Sequence, residues 1–596
     1  MQIKAKQIIT FLVLFLFIQN KNIAQNSYKS PKAIILTTGD GDGRGTISDG
    51  IVLALQSFNK QGIFTKLENR EILLKPIELA KYTILIVSTI RGYHDYPSPN
   101  SLTNMSDVEM KNISNWVKNG GTLVAGNNIG RNWLNFKDRI EEEKSLYQNN
   151  WGLSDCLGIE LKEKNMLNYH LEKSKLNIWK NNFYTKKEIF KWFLVPFKTN
   201  PNAEILSWWI SEKDSIPGIT LNKYGKGKSI FLPTFKLLHP IEDGGFSTRE
   251  EIDKFYHFIV KTAIGKQINK IQISPWKDGY STAFCWTFDD GGTVKQYQTI
   301  VNFVEKNKFP TLFFVTPDVG EQETKILKNS KQISLEGHSF SHPDFRTLSY
   351  FETKNEFLKN KNFWKKKFNG FRFPYVSNSF WGMYLMDEMD FKYETSIAVN
   401  HFDHIRGSVV PYNIPVFKDE LYKTLNVLEI SQIYNDDWFF YQKSLEVENY
   451  TKKMQNYDSK RFETYLKKYF NELVEPNNGV MVYLGHPMYS GISDITMNPL
   501  HEMASFLKTK NVWITTPTLV AERWNKLKNL EVTIEEAENL MKLKIETKSK
   551  IKCLSFKLNK KPEKVNYSGK HKIVEKEGTV YLVLDAEGEI EVGLEF

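Results

Sequence analysis

The sequence predicts an α/β chain: a doubly wound parallel sheet over residues 25–270, a (β/α) barrel over 274–525 and a small all-β domain over 530–596, behind an export signal at 1–24. Three observations predict it. Apolar runs alternate with helical patterns in the first half. Five later apolar runs each lead into a polar residue, as barrel strands do at their C-terminal ends. The tail breaks into short alternating runs between turns. A chain of 596 residues exceeds a single core and requires several domains.

Composition narrows the class. With 41% hydrophobic and 25% charged residues, the chain is an ordinary globular protein and wholesale disorder is excluded. The net charge of +11 comes from scattered lysines. There is no arginine-rich segment and no nucleic-acid motif, so no nucleic-acid partner is expected. The 14 Trp and 27 Tyr suit stacking on sugar rings, although filling cores is their commoner use. Cys156, Cys285 and Cys553 lie in different regions, which rules out a disulfide framework.

In chain order, Lys4 and Lys6 precede an apolar run at 8–18, and Ile23-Ala24 offers a small residue at a cleavage point. This reads as a cleavable secretory signal, too short to span a bilayer comfortably, with an uncleaved signal anchor as the alternative. No cysteine follows it, which argues against a lipoprotein. The expected location is secreted, periplasmic or cell-surface, with no stable membrane span after cleavage.

Residues 33–38 read as a buried strand, followed by the loop Gly39-Asp40-Gly41-Asp42-Gly43-Arg44-Gly45 and a helix from 48 to about 61. The loop lacks the Lys-Ser/Thr of a P-loop, and Arg44 falls where a calcium ligand should be, so it reads as a turn. A strand at 82–88, a helix at 107–119 ended by Gly120-Gly121 and a strand at 122–126 continue the alternation. The Lys118-Asn119-Gly120-Gly121-Thr122-Leu123-Val124 turn and the late run at 225–231 resemble the class I glutamine amidotransferase-like fold, which is flavodoxin-like and doubly wound. The elbow here reads Gly126-Asn127-Asn128, without the nucleophilic cysteine, which implies a non-catalytic binding or spacing module. Residues 135–197 read as a lysine- and asparagine-rich insertion within it.

The barrel runs are residues 283–288 before Asp289-Asp290, 311–315 before Thr316, 333–335 before His338, 480–484 before His486 and 512–514 before Thr515. Adjacent acids at a strand end suit division of labour between metal binding and proton transfer, though an acidic turn is the plainer reading of that stretch alone. Gly291 and Gly292 follow, a place where substrate would come close to the backbone. His338 and His342 are four residues apart and would share one face of a helical turn; two His and one carboxylate form a common catalytic metal shell. An isolated pair at that spacing is more often a surface feature. Runs at 541–546, 551–558, 572–575, 580–584 and 590–594 build the tail, read as a small antiparallel sandwich.

Thr287 to Gly291, His338 to His342, Phe371-Arg372-Phe373-Pro374-Tyr375, Asp436-Asp437-Trp438 and Tyr483-Leu484-Gly485-His486-Pro487 together resemble the polysaccharide deacetylases, the NodB-homology carbohydrate esterases, over about 274–524. The resemblance implies a distorted barrel of NodB type. It implies Asp289 as general base, Asp290, His338 and His342 as metal ligands, Arg372 orienting the base, and the Tyr375 N–H stabilising an oxyanion. It further implies His486 as general acid tuned by an Asp beside a Trp, a role Asp437 and Trp438 fit in residue type but at unusual spacing, with Trp438 and Leu484 lining the substrate site. The implied function is an exported, metal-dependent deacetylase acting on an N-acetylated polysaccharide, chitin-like, peptidoglycan or exopolysaccharide. An O-acetyl esterase on xylan or another glycan, or an inactive glycan-binding protein, is the alternative. His₂-carboxylate suits Zn²⁺ first, then Co²⁺ or Ni²⁺.

Overall fold

A computed structural model describes residues 26–37, 42–87, 105–126, 129, 152–161, 173–176, 197–210, 215–232, 248–265, 270–399, 405–418, 421–446, 451–537 and 539–596. The export signal at 1–24, Gly39-Asp40-Gly41, the Asn127-Asn128 elbow and most of the insertion at 135–197 lie outside these residues. Contacts divide the chain into two units: one from 1–31, 266–280 and 523–596, the other from 32–265 and 281–522. Among the described residues, no helix is long and apolar enough to cross a membrane.

Among the described residues, the larger unit holds two large sheets and three small ones of two or three strands. In the first, the parallel strands lie in the order Phe64–Glu68, Lys32–Leu36, Ile84–Val87, Thr122–Gly126 and Gly227–Leu232, followed by antiparallel Thr220–Tyr224 and Glu204–Ile205. Numbered along the chain, the parallel strands run 2-1-3-4-5, the flavodoxin-like order. Their near-continuous Ile, Leu and Val runs are what strands covered on both faces require. One face carries Ile34, Leu36, Leu85, Val87, Leu123 and Ala125, packed with Met110, Ile113 and Val117 of the helix Asp107–Lys118. That helix starts at a capping box in which Ser106 and Glu109 satisfy each other's backbone N–H, worth about 1 kcal/mol.

The glycine loop after the first strand is a turn that docks. Asp42 Oδ1 accepts from the Arg44 N–H at 2.9 Å and the Thr46 hydroxyl at 2.7 Å, and its other oxygen pairs with the Arg44 guanidinium. Arg44 thus supplies the charge that a calcium ion would have brought. Arg44 bridges to Val416, and the Gly43 carbonyl accepts from Phe417 N at 3.2 Å, both on the edge strand of the second sheet. Gly43 sits at φ +79°, and a Cβ there would stand 2.4 Å from the Phe417 carbonyl oxygen, so the close approach demands glycine.

The second sheet is parallel from Val480–Gly485 through Thr282–Phe288, Thr311–Val315, Ile333–Gly337, Gly370–Phe371 and Tyr393–Glu394 to Leu421–Glu429, with Tyr412–Lys418 antiparallel beside the last. Ala398–Val399 and Gln432–Ile433 continue two of these strands beyond a break and pair with each other. Gln432 also pairs with Val482, so the sheet curls round to the strand where it began. Gly337 aligns with Phe371 and Phe371 with Glu394. His338, Arg372 and Thr395, the next residue along each strand, therefore leave the sheet at one edge.

The smaller unit is a single antiparallel sheet of seven strands. Leu540–Leu558 and Thr579–Glu595 pair along their length, with register shifts between Thr547 and Leu554 that bend the pair. The runs at 541–546 and 551–558, read as separate strands, are one strand bent by these bulges. Glu531–Ala537 and Lys564–Asn566 flank one end of the pair; Ile271–Ser274 and His571–Lys576 flank the other. Asn26–Lys29 joins Glu531–Ala537. This unit therefore draws two strands from outside 530–596, and the short segments Asn-Ser-Tyr-Lys and Ile-Gln-Ile-Ser carry too little pattern to announce them.

Candidate active site

Asp289 is the first residue beyond the Thr282–Phe288 strand, and its N–H bonds to the Gly485 carbonyl at 2.9 Å. The residue is nearly buried, at 5% exposure. Arg372, fully buried, donates from Nη1 to Asp289 Oδ1 at 2.7 Å, from Nη2 to Thr287 Oγ1 at 2.8 Å and from Nε to Thr395 Oγ1 at 3.0 Å. Its guanidinium also lies over the Phe314 ring, 4.3 Å from the centroid. Burial alone would raise the Asp289 pKa; the positive charge of Arg372, with His338 and His486 nearby, outweighs it and holds the carboxyl below its usual range.

The neighbouring carboxylate faces a different set. Asp290, His338 and His342 offer ligand atoms that lie within 4.8 Å of one another. Thr316, at the end of the next strand, donates its hydroxyl to Asp290 Oδ2. His338 is buried, and its Nδ1 lies 2.8 Å from the Arg372 carbonyl. A carbonyl only accepts, so Nδ1 carries the proton and Nε2 is left with a lone pair, the tautomer of a metal-binding imidazole. Burial, the largest cause, lowers the His342 pKa, which favours the neutral ring that can ligate. The donor set fits a divalent cation.

The two histidines are not on a helix. They sit on a loop with left-handed kinks at Ser339 (φ +78°) and His342 (φ +54°), and their ring centroids are 5.1 Å apart. Gly291 and Gly292 have a packing role. They turn at φ +94° and +126° against the start of the 487–490 helix, where the Met488 N–H bonds to the Gly291 carbonyl at 3.1 Å. Thr515 stands apart from the site, since it aligns with Cys285 below the strand end.

A third group closes the arrangement. Asp437, fully buried, accepts from His486 Nδ1 at 2.8 Å through Oδ1, while its Oδ2 takes the His486 backbone N–H and the Ser490 hydroxyl, each at 2.7 Å. They are 49 positions apart in sequence, and the chain between them forms two helices, Asp437–Glu446 and Lys452–Tyr469, before the Val480–Gly485 strand. Burial would lower the His486 pKa, but Asp437 at contact, with Asp436 and Asp289 nearby, raises it to about 9. Tyr375 is an exposed residue at φ +54°, with its ring centroid 4.6 Å from that of His342. Among the described residues, no acceptor takes its N–H. Trp438 is exposed at the start of its helix, and Leu484 is buried beside Thr287.

Residues 280–391 match the family model described as polysaccharide deacetylase. This region belongs to the polysaccharide deacetylase family. Residues 99–268 match a second model, beta-galactosidase trimerisation domain. Similar solved structures include Agd3, described as a novel carbohydrate deacetylase, at 9% identity over 96% of this chain and 99% of that one, with a TM-score of 0.38. A putative polysaccharide deacetylase from Mycobacterium smegmatis is 15% identical over 42% and 92%, with a TM-score of 0.33. A probable one from Pseudomonas aeruginosa PAO1 is 12% identical over 44% and 95%, also at 0.33. No curated protein matches the chain.

Two residues of the deacetylase domain escaped sequence reasoning. Glu356 accepts from the backbone N–H groups of Phe340 and Ser341, each at 2.9 Å, and from the Ser341 hydroxyl at 2.8 Å. One helical turn later, Asn360 donates to the carbonyls of Val315 and Ser339. Both lie on Tyr350–Trp364 and fix the loop between His338 and His342. Their spacing of four on one helix face is the signal that was available. Glu356→Gln removes one acceptor and the charge, so metal affinity should fall by roughly 10–100-fold. Chelator competition measures it; an unchanged affinity would remove Glu356 from this role.

Proposed function

We propose that this protein is an exported, metal-dependent deacetylase that hydrolyses N-acetyl groups of a polysaccharide to amine and acetate. One observation carries the reading: an Arg-held carboxylate, a His₂-carboxylate ligand set and an Asp-held histidine meet at the C-terminal edge of one curled sheet. Asp290, His338 and His342 would hold the cation, zinc before cobalt or nickel. When bound, it supplies Lewis acidity, lowering the pKa of water to about 7 and polarising the acyl carbonyl. Asp289, kept ionised by Arg372, accepts the proton of the attacking water. The Tyr375 N–H donates to the developing oxyanion. His486, kept protonated by Asp437, delivers its proton to the departing nitrogen.

That last group favours an amide over an ester. An amine anion is a far poorer leaving group than an alkoxide, so an acid held protonated above neutral pH suits N-deacetylation. Trp438 and Leu484 would border the sugar. The 25–270 region, proposed as an amidotransferase-like module without a nucleophile, acts in spacing or binding.

The test measures acetate release and free amine from chitin oligomers beside acetate release from acetylated xylan. Activity on the N-acetylated substrate should vanish with chelator and return with added metal. A metal-free protein equally active as Asp290→Ala would end the proposal.

A further inference from the structure

The Asp437–His486 pair has a neighbour with no part in the mechanism above. Asp436, Asp437 and His486 also bring ligand-type atoms within 4.8 Å of one another. Asp437 has little capacity left there, since its two oxygens already take the His486 Nδ1–H, the His486 backbone N–H and the Ser490 hydroxyl. A cation would have to break the Asp437–His486 bond, so a proton is the better occupant of this cluster. Asp436 is placed differently. Its Oδ1 accepts from Phe439 N at 3.1 Å and caps the Asp437–Glu446 helix, and the side chain is half-buried.

We propose that Asp436 is a second positioning carboxylate for His486, sharing with Asp437 the task of keeping the imidazole in its proton-donating form. This rests on the deacetylase reading given above. The groups facing His486 are Asp436 and Asp437 from the helix start and Asp289 from the strand end, with the Tyr489 ring 5.5 Å away on its own short helix. Asp436 additionally faces Tyr465 from the helix Lys452–Tyr469 and Tyr483 from the strand Val480–Gly485. Arg372, the buried cation of the site, is committed to Asp289.

The arrangement gives a graded response. Burial pushes the Asp436 carboxyl up to about 6, so it ionises just below neutral pH. Its charge is then present over the range in which a free imidazole would lose its proton. An opposite charge within about 4–6 Å favours the charged form by about 1–3 pH units.

Asp436→Asn separates this role from the helix cap, because asparagine caps a helix as well as aspartate does. The metal-loaded full chain is compared as wild type and Asp436→Asn in two measurements. The first is the basic limb of kcat/KM on an N-acetylated chitin oligomer. The second is the titration of the His486 ring by NMR, assigned through the signal lost in His486→Gln. Both midpoints should fall by about one pH unit or more in Asp436→Asn, with the denaturation midpoint unchanged. A ring midpoint equal to that of wild type overturns the proposal. If the wild type releases no acetate, the deacetylase reading fails, and the ring titration still decides for or against Asp436.

Discussion

Asp289→Asn is expected to lower acetate release by roughly 10²–10⁴-fold, the usual contribution of a proton-transfer group, while leaving bound metal in place. The metal should stay because its three ligands, Asp290, His338 and His342, are untouched. The fold should survive as well. The amide oxygen of asparagine can still accept from Arg372 Nη1, which softens but does not remove the cost of leaving the buried Arg372 without its counter-charge, so the denaturation midpoint should drop while the chain still folds. Acetate assays, metal content and a denaturant titration on the same sample separate these effects. Asp290→Asn should behave oppositely, losing metal together with activity. If Asp289→Asn kept activity within tenfold of wild type, the base would have to be sought elsewhere.

The two acids were legible because of where they stand. A strongly apolar run followed by Asp-Asp-Gly-Gly can hardly be anything but a buried strand reaching an edge, and the parallel sheet puts Asp289 and Asp290 at such an edge. His338 was legible for the same reason, as the first residue beyond a strand end, whereas Arg372 was legible through the motif Phe371-Arg372-Phe373-Pro374-Tyr375 that carries the family resemblance. The helical placement of His338 and His342 failed because spacing alone does not distinguish a helical turn from a loop kinked at Ser339 and His342. Asp437 was identifiable by type, but its contact with His486 depends on how two helices return the chain to the next strand, and no local pattern encodes that. Glu356 and Asn360 offered only their spacing of four on one helix face, for a related reason. They belong to a polar helix whose residues look solvated until the histidine loop is laid across them. Local pattern located the groups that leave the sheet; the residues that hold those groups in place come from tertiary contacts.

Arg372→Met should be the most damaging single change for stability. It leaves the Asp289 carboxylate buried without its cation, a loss of about 3–5 kcal/mol for a broken buried pair. The pH dependence should change with it. In the wild type, Arg372 depresses the Asp289 pKa, so the pair stabilises the fold above the usual carboxylate range, and this contribution is lost as pH falls through the depressed value. In Arg372→Met, burial is no longer opposed by that cation and the carboxyl pKa rises. Asp289 then binds its proton more tightly folded than unfolded, and its contribution favours acid and fades as pH rises. Denaturant midpoints from about pH 4 to pH 8 should therefore show the difference between wild type and variant widening with pH. Replacing both charges, Arg372→Met with Asp289→Asn, should recover much of the stability without recovering activity, because it removes the uncompensated charge but also the base. A double variant no more stable than Arg372→Met would mean that Arg372 holds the barrel chiefly through Thr287 and Thr395, and that its charge matters little to the fold.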